Sequence, residues 1–221
     1  MTSKKRQFID IDVHKSVNAN DWRHVRLSEL CIQDRHIVVP GSQNALDLPY
    51  ISLEHIESDS GRIIKELSVD TDGVRSTTFA FDERHVLYGK LRPYLNKVAL
   101  PDFKGRCTTE LIPLLPRPNV SRRYMALLLR RPVVVAAAME EKTGARMPRA
   151  SMKHVLAVRV MIPASIEYQE QLAATFENSM NSIAQARVAL NNQLENLEAL
   201  SKKMLTEFPE IFIRNGGRNS S

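Results

Sequence analysis

The sequence predicts an α+β fold: a twisted, mostly antiparallel sheet with short helices, followed by one long α-helix. Three observations lead there. Between Pro49 and Leu115, short apolar runs alternate with Gly, Pro and Asp, the punctuation of brief strands. Between Asn119 and Ile162 the runs lengthen and gain helix caps. From Ile166 to about Phe208 there is neither proline nor glycine, and apolar residues recur at heptad spacing.

Taken in order, residues 1–20 read as a flexible arm, and Trp22–Leu30 as one short amphipathic helix through Trp22, Val25, Leu27 and Leu30. Pro40, Gly41 and Pro49 mark a loop. Strands are expected at Tyr50–Leu53, at Gly61–Ile64 after the turn Asp59-Ser60-Gly61, at Val86–Leu91, at Leu95–Leu100 and at Thr108–Leu115. Arg122–Arg130 should be helical with Asn119 or Ser121 as its cap, and Pro132 can open the next helix to about Glu141. After a polar loop, Lys142–Arg149, Ser151 can cap a turn through Leu156, and Val158–Ile162 reads as a closing strand ended by Pro163.

In the long helix Ile183, Leu190, Leu197 and Met204 fall seven residues apart, with Ala186, Leu194 and Leu200 at the alternate positions. A helix over 166–208 would be ~60 Å long at 1.5 Å per residue. Such a stripe needs a second helix to cover it, from another copy or from a partner. The expected organisation is an arm over 1–20, a globular domain over 21–164, the helix over 165–209 and a disordered polar tail over 210–221.

The chain has 221 residues, 43% hydrophobic and 25% charged, the composition of a soluble globular protein. No apolar run is long enough to span a bilayer, and the opening residues lack an apolar signal-peptide core. Cys31 and Cys107 are too few for a disulfide framework or a zinc cluster, and are expected as buried apolar residues in a reducing cytoplasm. The net charge of +6 is uneven: residues 1–166 hold 26 Lys and Arg against 18 Asp and Glu, residues 167–221 hold 5 against 7. A basic head suits phosphate neutralisation.

Catalytic patterns are absent. There is no glycine-rich loop of dinucleotide or P-loop spacing, and no Ser or Cys in a nucleophile setting. Pro101-Asp102 with Glu140-Glu141-Lys142 imitates the PD…ExK pattern of metal-dependent nucleases. That pattern needs its ExK on a strand beside the aspartate, whereas Met125–Met139 leads into Glu140 as a helix. Helix-end charges are the reading we adopt, and neither catalytic residues nor a metal nor a cofactor is expected.

Two segments carry binding chemistry. In Val86–Val98 (VLYGKLRPYLNKV) an apolar strand runs into Gly89, after which Lys90, Arg92, Tyr94, Asn96 and Lys97 follow closely. Arg and Asn make bidentate contacts to guanine and adenine edges, and Lys and Tyr suit phosphates. Composition alone equally allows a hairpin with solvated charges around a packed tyrosine. In Gly144–Lys153 (GARMPRASMK), Arg146, Arg149 and Lys153 stand in a stretch without acids from Lys142 to Ser165. The plain alternative is an exposed basic loop.

In this order, VLYGKLRPYLNKV, Cys107-Thr108-Thr109-Glu110, GARMPRASMKHVLAVRVMIP running into Glu167-Tyr168-Gln169-Glu170-Gln171, and the helix ending in Met204…Phe208 resemble a type I restriction–modification specificity subunit. The likeness covers roughly Trp22–Phe208. It implies a target-recognition domain like that of the TaqI methyltransferase, reading about half of a bipartite site in double-stranded DNA. It also implies a spacer helix that docks methyltransferase subunits and, through them, the restriction subunit. The DNA residues expected are Lys90, Arg92, Tyr94, Asn96, Lys97, Thr108, Thr109, Arg146, Arg149 and Lys153, with Arg92 and Asn96 toward bases and Arg146, Arg149 and Lys153 toward phosphates.

Full specificity subunits hold two recognition domains and two helices packed antiparallel, whereas this chain has one of each and no internal repeat. The resemblance is to a half-subunit. Two copies could pair along Ile183, Leu190, Leu194, Leu197 and Met204, and by symmetry would read a gapped palindrome. A truncated fragment, or pairing with a different half-subunit, would account for the same sequence. Outside this family, a stand-alone nuclease using Asp102 and Glu140 and a coiled-coil adaptor remain the alternative functions.

Overall fold

The computed structural model describes residues 22–42, 47–64, 76–140 and 147–216, with side chains as far as Glu207. The expected arm over 1–20 lies outside them. The chain divides into two compact units, Met1–Ala173 and Ala174–Ser221.

Among its described residues the first unit is built on three small sheets. Strand β1 (Trp22–Arg26) pairs antiparallel with β10 (Arg159–Pro163), so the two ends of the globular unit close on each other. The second sheet has the order β2 (Cys31–Gln33), β9 (Leu111–Pro116), β6 (Val86–Gly89), β7 (Val98–Ala99). The third has the order β3 (Ile37–Val38), β5 (Thr78–Phe81), β8 (Gly105–Thr108), β4 (Tyr50–Ile51), and only its β4–β8 pair is parallel.

Alternation along the central sheet explains the core. Val86 and Tyr88 of β6, Val98 of β7 and Ile112 and Leu114 of β9 enter one cluster with the helices. Leu87, Ala99 and Leu111 turn the other way and pack with Ile51, Ile56, Phe81 and Cys107 of the third sheet's side. With both faces covered, every residue of β6 is buried, which is why Val86–Gly89 reads as a continuous apolar run. Arg106 is buried among these strands, its Nε donating to Leu48 O at 3.3 Å and its guanidinium 5.3 Å from the Tyr50 ring centre.

The helices follow the sequence expectation closely. After the single turn α1 (Leu27–Leu30) come α2 (Arg122–Leu129), α3 (Pro132–Met139) and α4 (Met152–Ala157). Ser121 caps α2, its hydroxyl accepting from Tyr124 N at 3.1 Å, and Pro132 opens α3. Cys31 and Cys107 are free and buried, and burial raises the Cys31 thiol to about 11 despite the nearby Arg117.

Several expectations need correction. Trp22–Arg26 is a strand, not helix: its pairing with Arg159–Pro163 overrides the apolar spacing, and only Leu27–Leu30 is helical. Thr108–Leu115 is not one strand but the end of β8 and most of β9, which enter different sheets across Thr109-Glu110. Leu95–Leu100 holds only the short β7, because Pro93–Leu95 forms a 3-10 turn. Gly61–Ile64 contributes one isolated bridge, Ile56 to Ile63. Strands β2, β3 and β5 went unforeseen, being short or punctuated by polar residues.

Helix α5 (Ile166–Gly216) starts where expected and continues as backbone through Pro209 to Gly216, beyond the expected boundary at 209. The tail expected to be disordered is thus helical as far as Gly216, and 217–221 lie outside the described residues. In the second unit, Ile183, Leu190, Leu194, Leu197 and Met204 are between 56% and 65% exposed. Among the described residues no helix is long and apolar enough to cross a membrane.

Candidate nucleic-acid interface

The fold brings the two basic segments together. Leu91 and Arg149 form an antiparallel bridge. Arg92 N donates to Pro148 O at 2.8 Å and Ala150 N donates to Lys90 O at 2.7 Å. On the other side Lys90 N donates to Glu110 O at 2.9 Å, which adds the β8–β9 turn with Thr108 and Thr109. Three stretches separated in sequence therefore share one edge, fixed by backbone hydrogen bonds.

Beyond that edge the chain turns sharply. Arg92 takes a left-handed conformation (φ 51°, ψ 64°), Pro93–Leu95 form the 3-10 turn, and Asn96 is left-handed again (φ 50°). Left-handed backbone is mild for Asn but strained for Arg, and such strain gathers where surroundings over-determine it. Asp59, also left-handed at φ 63°, donates its N–H to Leu95 O at 3.3 Å. Arg92 and Tyr94 are exposed on this turn. Tyr94 lines a hollow of about 380 Å³ together with Asp59, Asn96, Arg130, Val135 and Met139.

Not every expected residue is available to a ligand. Asn96 Nδ2 donates to Arg130 O at 3.2 Å, and Lys97 Nζ donates to Leu53 O at 2.8 Å. Burial holds the Lys97 ammonium below the usual lysine range, with Glu54 opposing. Both side chains tie the turn to the body of the domain. Thr108 Oγ1 accepts from Glu110 N at 3.4 Å, and Thr109 is half-buried at the same turn. Burial raises the Tyr50 phenol, which also hydrogen-bonds Thr108. Arg149 is exposed beside the bridge and Lys153 is exposed on α4. Arg146 lies outside the described residues.

One residue of this edge was not expected. The Glu110 carboxylate sits between both segments, Oε1 2.9 Å from Arg149 Nε and Oε2 3.8 Å from Lys90 Nζ. The charge pattern could have suggested it, since Glu110 is the one acid at the β8–β9 turn.

The nuclease pattern finds no assembled site. Glu140 is the exposed C-cap of α3, with His154 Nδ1 at 3.6 Å, and Asp102 is exposed after β7. Glu141 and Lys142 lie outside the described residues. Among the described residues no group of three or more His, Cys, Asp or Glu side chains could hold a metal ion.

A mixed α+β head with an exposed basic edge, continuing into one long helix with an apolar stripe, defines a class of architecture shared with solved proteins. This chain is similar to the type I restriction enzyme EcoDI specificity subunit of Escherichia coli, with 24% identity over 217 residues, covering 91% of this chain and 47% of that protein. Among solved structures it resembles the HsdS subunit from Thermoanaerobacter tengcongensis, with a TM-score of 0.68 and 21% identity, covering 85% of this chain and 49% of that one. A chain from a study of complex assembly and conformational transition in the type I R-M system gives a TM-score of 0.73, again at 21% identity and with 85% and 49% coverage. No protein-family model matches. The expected likeness to type I specificity subunits is borne out, and the chain spans about half the length of the relatives it matches.

Proposed function

We propose that this chain is a half-sized specificity subunit: a non-catalytic protein that reads DNA sequence and directs methyltransferase and restriction subunits to their site. The observation that carries the reading is the joining of Lys90–Arg92 to Pro148–Ala150, which sets Lys90, Arg92 and Arg149 on one edge. Within it Arg92 and Tyr94 approach bases, while Lys90, Arg149 and Lys153 meet phosphates, and Arg146, outside the described residues, is a further phosphate candidate by its charge. Thr108 and Thr109 border the contact, and Asn96 and Lys97 hold the turn that presents Arg92. Two copies pair their helices antiparallel and read two inverted half-sites at a fixed gap.

Selection from a randomised duplex library with the purified chain, at moderate salt, tests this. An enriched palindrome split by a constant gap is expected. A single ungapped half-site would keep the recognition head and remove the dimer. Absence of salt-dependent DNA binding, with the methyltransferase subunit present as well, would leave the coiled-coil adaptor as the better reading. In the selected complex, Arg92→Ala should cost about 1–3 kcal/mol at one base position. A uniform loss over all sequences would make it a phosphate contact.

A further inference from the structure

We infer that Glu110 damps the affinity of the basic edge for DNA, by occupying with its own carboxylate the place that any DNA phosphate would seek. The inference rests on the DNA-recognition reading above and adds a charge-balancing residue to it.

Glu110 reaches two cations contributed by separate segments, Arg149 at 2.9 Å and Lys90 at 3.8 Å. Its side chain is 22% exposed, Lys90 27% and Arg149 55%, so the pairs are partly shielded from water while Arg149 keeps an open face. Oε2 is enclosed and accepts no hydrogen bond among the described residues. Lys90 Nζ lies 3.8 Å from it, a distance where attraction remains without a formed bond.

The carboxylate is not needed to hold these segments together. Backbone bonds from Arg92 N to Pro148 O, from Ala150 N to Lys90 O and from Lys90 N to Glu110 O already do so. What it changes is charge: two cations share one anion, and a phosphate approaching either meets a fixed negative group. That cost is the same for every duplex. Non-specific binding draws nearly all its affinity from phosphate contacts, whereas a specific complex adds base contacts. A uniform penalty on phosphate binding therefore lowers both affinities by the same factor and leaves their ratio unchanged, so that only a complex that adds base contacts binds tightly.

The test compares wild-type chain with Glu110→Gln on a random-sequence duplex and on the duplex enriched by selection, across a salt series. Glu110→Gln should bind the random duplex roughly three- to tenfold more tightly and steepen its salt slope by up to about one ion. The gain on the selected duplex should match it, so the specificity ratio is unchanged. In an Arg149→Gln, Lys90→Gln background, the same Glu110→Gln change should give no gain. Random-duplex affinity that is unchanged or weaker in the single variant, with an unaltered melting curve, would make Glu110 a structural latch and overturn the inference. If Glu110→Gln melts early, the comparison of Glu110→Asp with wild type decides: equal affinity for the random duplex supports the charge argument, and a gain in affinity despite the retained charge overturns it. Wild-type chain that binds neither duplex would sink the DNA reading itself, a different failure from a Glu110 variant without effect.

Discussion

Gln169 and Ser121 are joined across 48 residues of sequence, the Gln169 carbonyl oxygen accepting the Ser121 N–H at 2.7 Å. Gln169 is fully buried, and its amide nitrogen donates to Pro163 O at 2.9 Å and Asn119 O at 3.2 Å. One side chain thus satisfies the entry to α2, the end of β10 and the left-handed Asn119 (φ 65°). Its neighbour Glu170 accepts from the Ser121 hydroxyl and pairs with Arg123 at 3.4 Å. Gln169→Leu keeps the volume and takes its side-chain partner from the buried Ser121 N–H, from Pro163 O and from the part-buried Asn119 O, which should cost about 2–4 kcal/mol. A fall in Tm of roughly 5–12 °C is expected for a chain of this size. A shift under about 2 °C would mean that the backbone groups find other partners.

Gly61 and Gly41 are both left-handed, at φ +69° and +76°, but only one is enclosed. A Cβ at Gly61 would lie 1.7 Å from Val98 O and 2.2 Å from Arg130 Nη2, whereas nothing approaches within 4 Å at Gly41. Gly41→Ala should cost about 1 kcal/mol from backbone strain alone. Gly61→Ala must in addition push β7 away, so it should cost several times more, roughly 3 kcal/mol or above. Equal effects in urea melts would show that the turn at Asp59–Gly61 moves freely.

These two residues illustrate what the sequence does and does not disclose. The turn at Asp59-Ser60-Gly61 and the caps of α2 and α3 are legible because local chemistry decides them. Trp22–Arg26 misleads because its partner lies 137 residues away, and pairing with Arg159–Pro163 outweighs a helical spacing over so short a run. At the candidate interface, Arg92 and Arg149 can be chosen by residue type, but their adjacency comes from one backbone bridge that no spacing reveals. Asn96 and Lys97 look like ligand-facing residues for the same reason. Only the fold shows the carbonyls of Arg130 and Leu53 waiting for them.

Asp82 gives the first unit an acid-sensitive joint. Its carboxylate is held well below the usual range, chiefly by hydrogen bonds from Arg84, with His85 adding attraction. His85 is buried between Asp82 Oδ1 at 2.9 Å and Asp34 Oδ2 at 3.2 Å, and Arg122 Nε donates to its carbonyl at 2.9 Å. A depressed carboxylate contributes stability that is present above its unfolded value and lost as pH falls through the folded one. Asp82→Asn should therefore melt below wild type at pH 7, and the two should converge as pH is lowered from about 4 toward 2. A constant difference across that range would show that the contribution is not carried by the charge.

The second unit poses the sharpest question, because its apolar side chains have nothing within the unit to cover them. Ile183, Leu190 and Leu197 stand 59%, 65% and 64% exposed at seven-residue spacing, and Leu194 and Met204 extend the same stripe. Burying one leucine, isoleucine or methionine side chain contributes ~1.5–3 kcal/mol, so the five residues of this stripe supply a driving force for pairing with a second helix. Leu190→Asp with Leu197→Asp places two carboxylates in the middle of that seam, while each side chain already faces solvent in the single chain. The double variant should therefore keep the melting behaviour of the first unit and elute as a monomer by light scattering, where wild type is expected at twice the mass. If selected DNA still binds as a gapped palindrome, or if wild type is itself monomeric, the helices do not pair through this stripe. A monomer that retains one half-site would instead show that recognition belongs to the head, and that the helix supplies only the second copy.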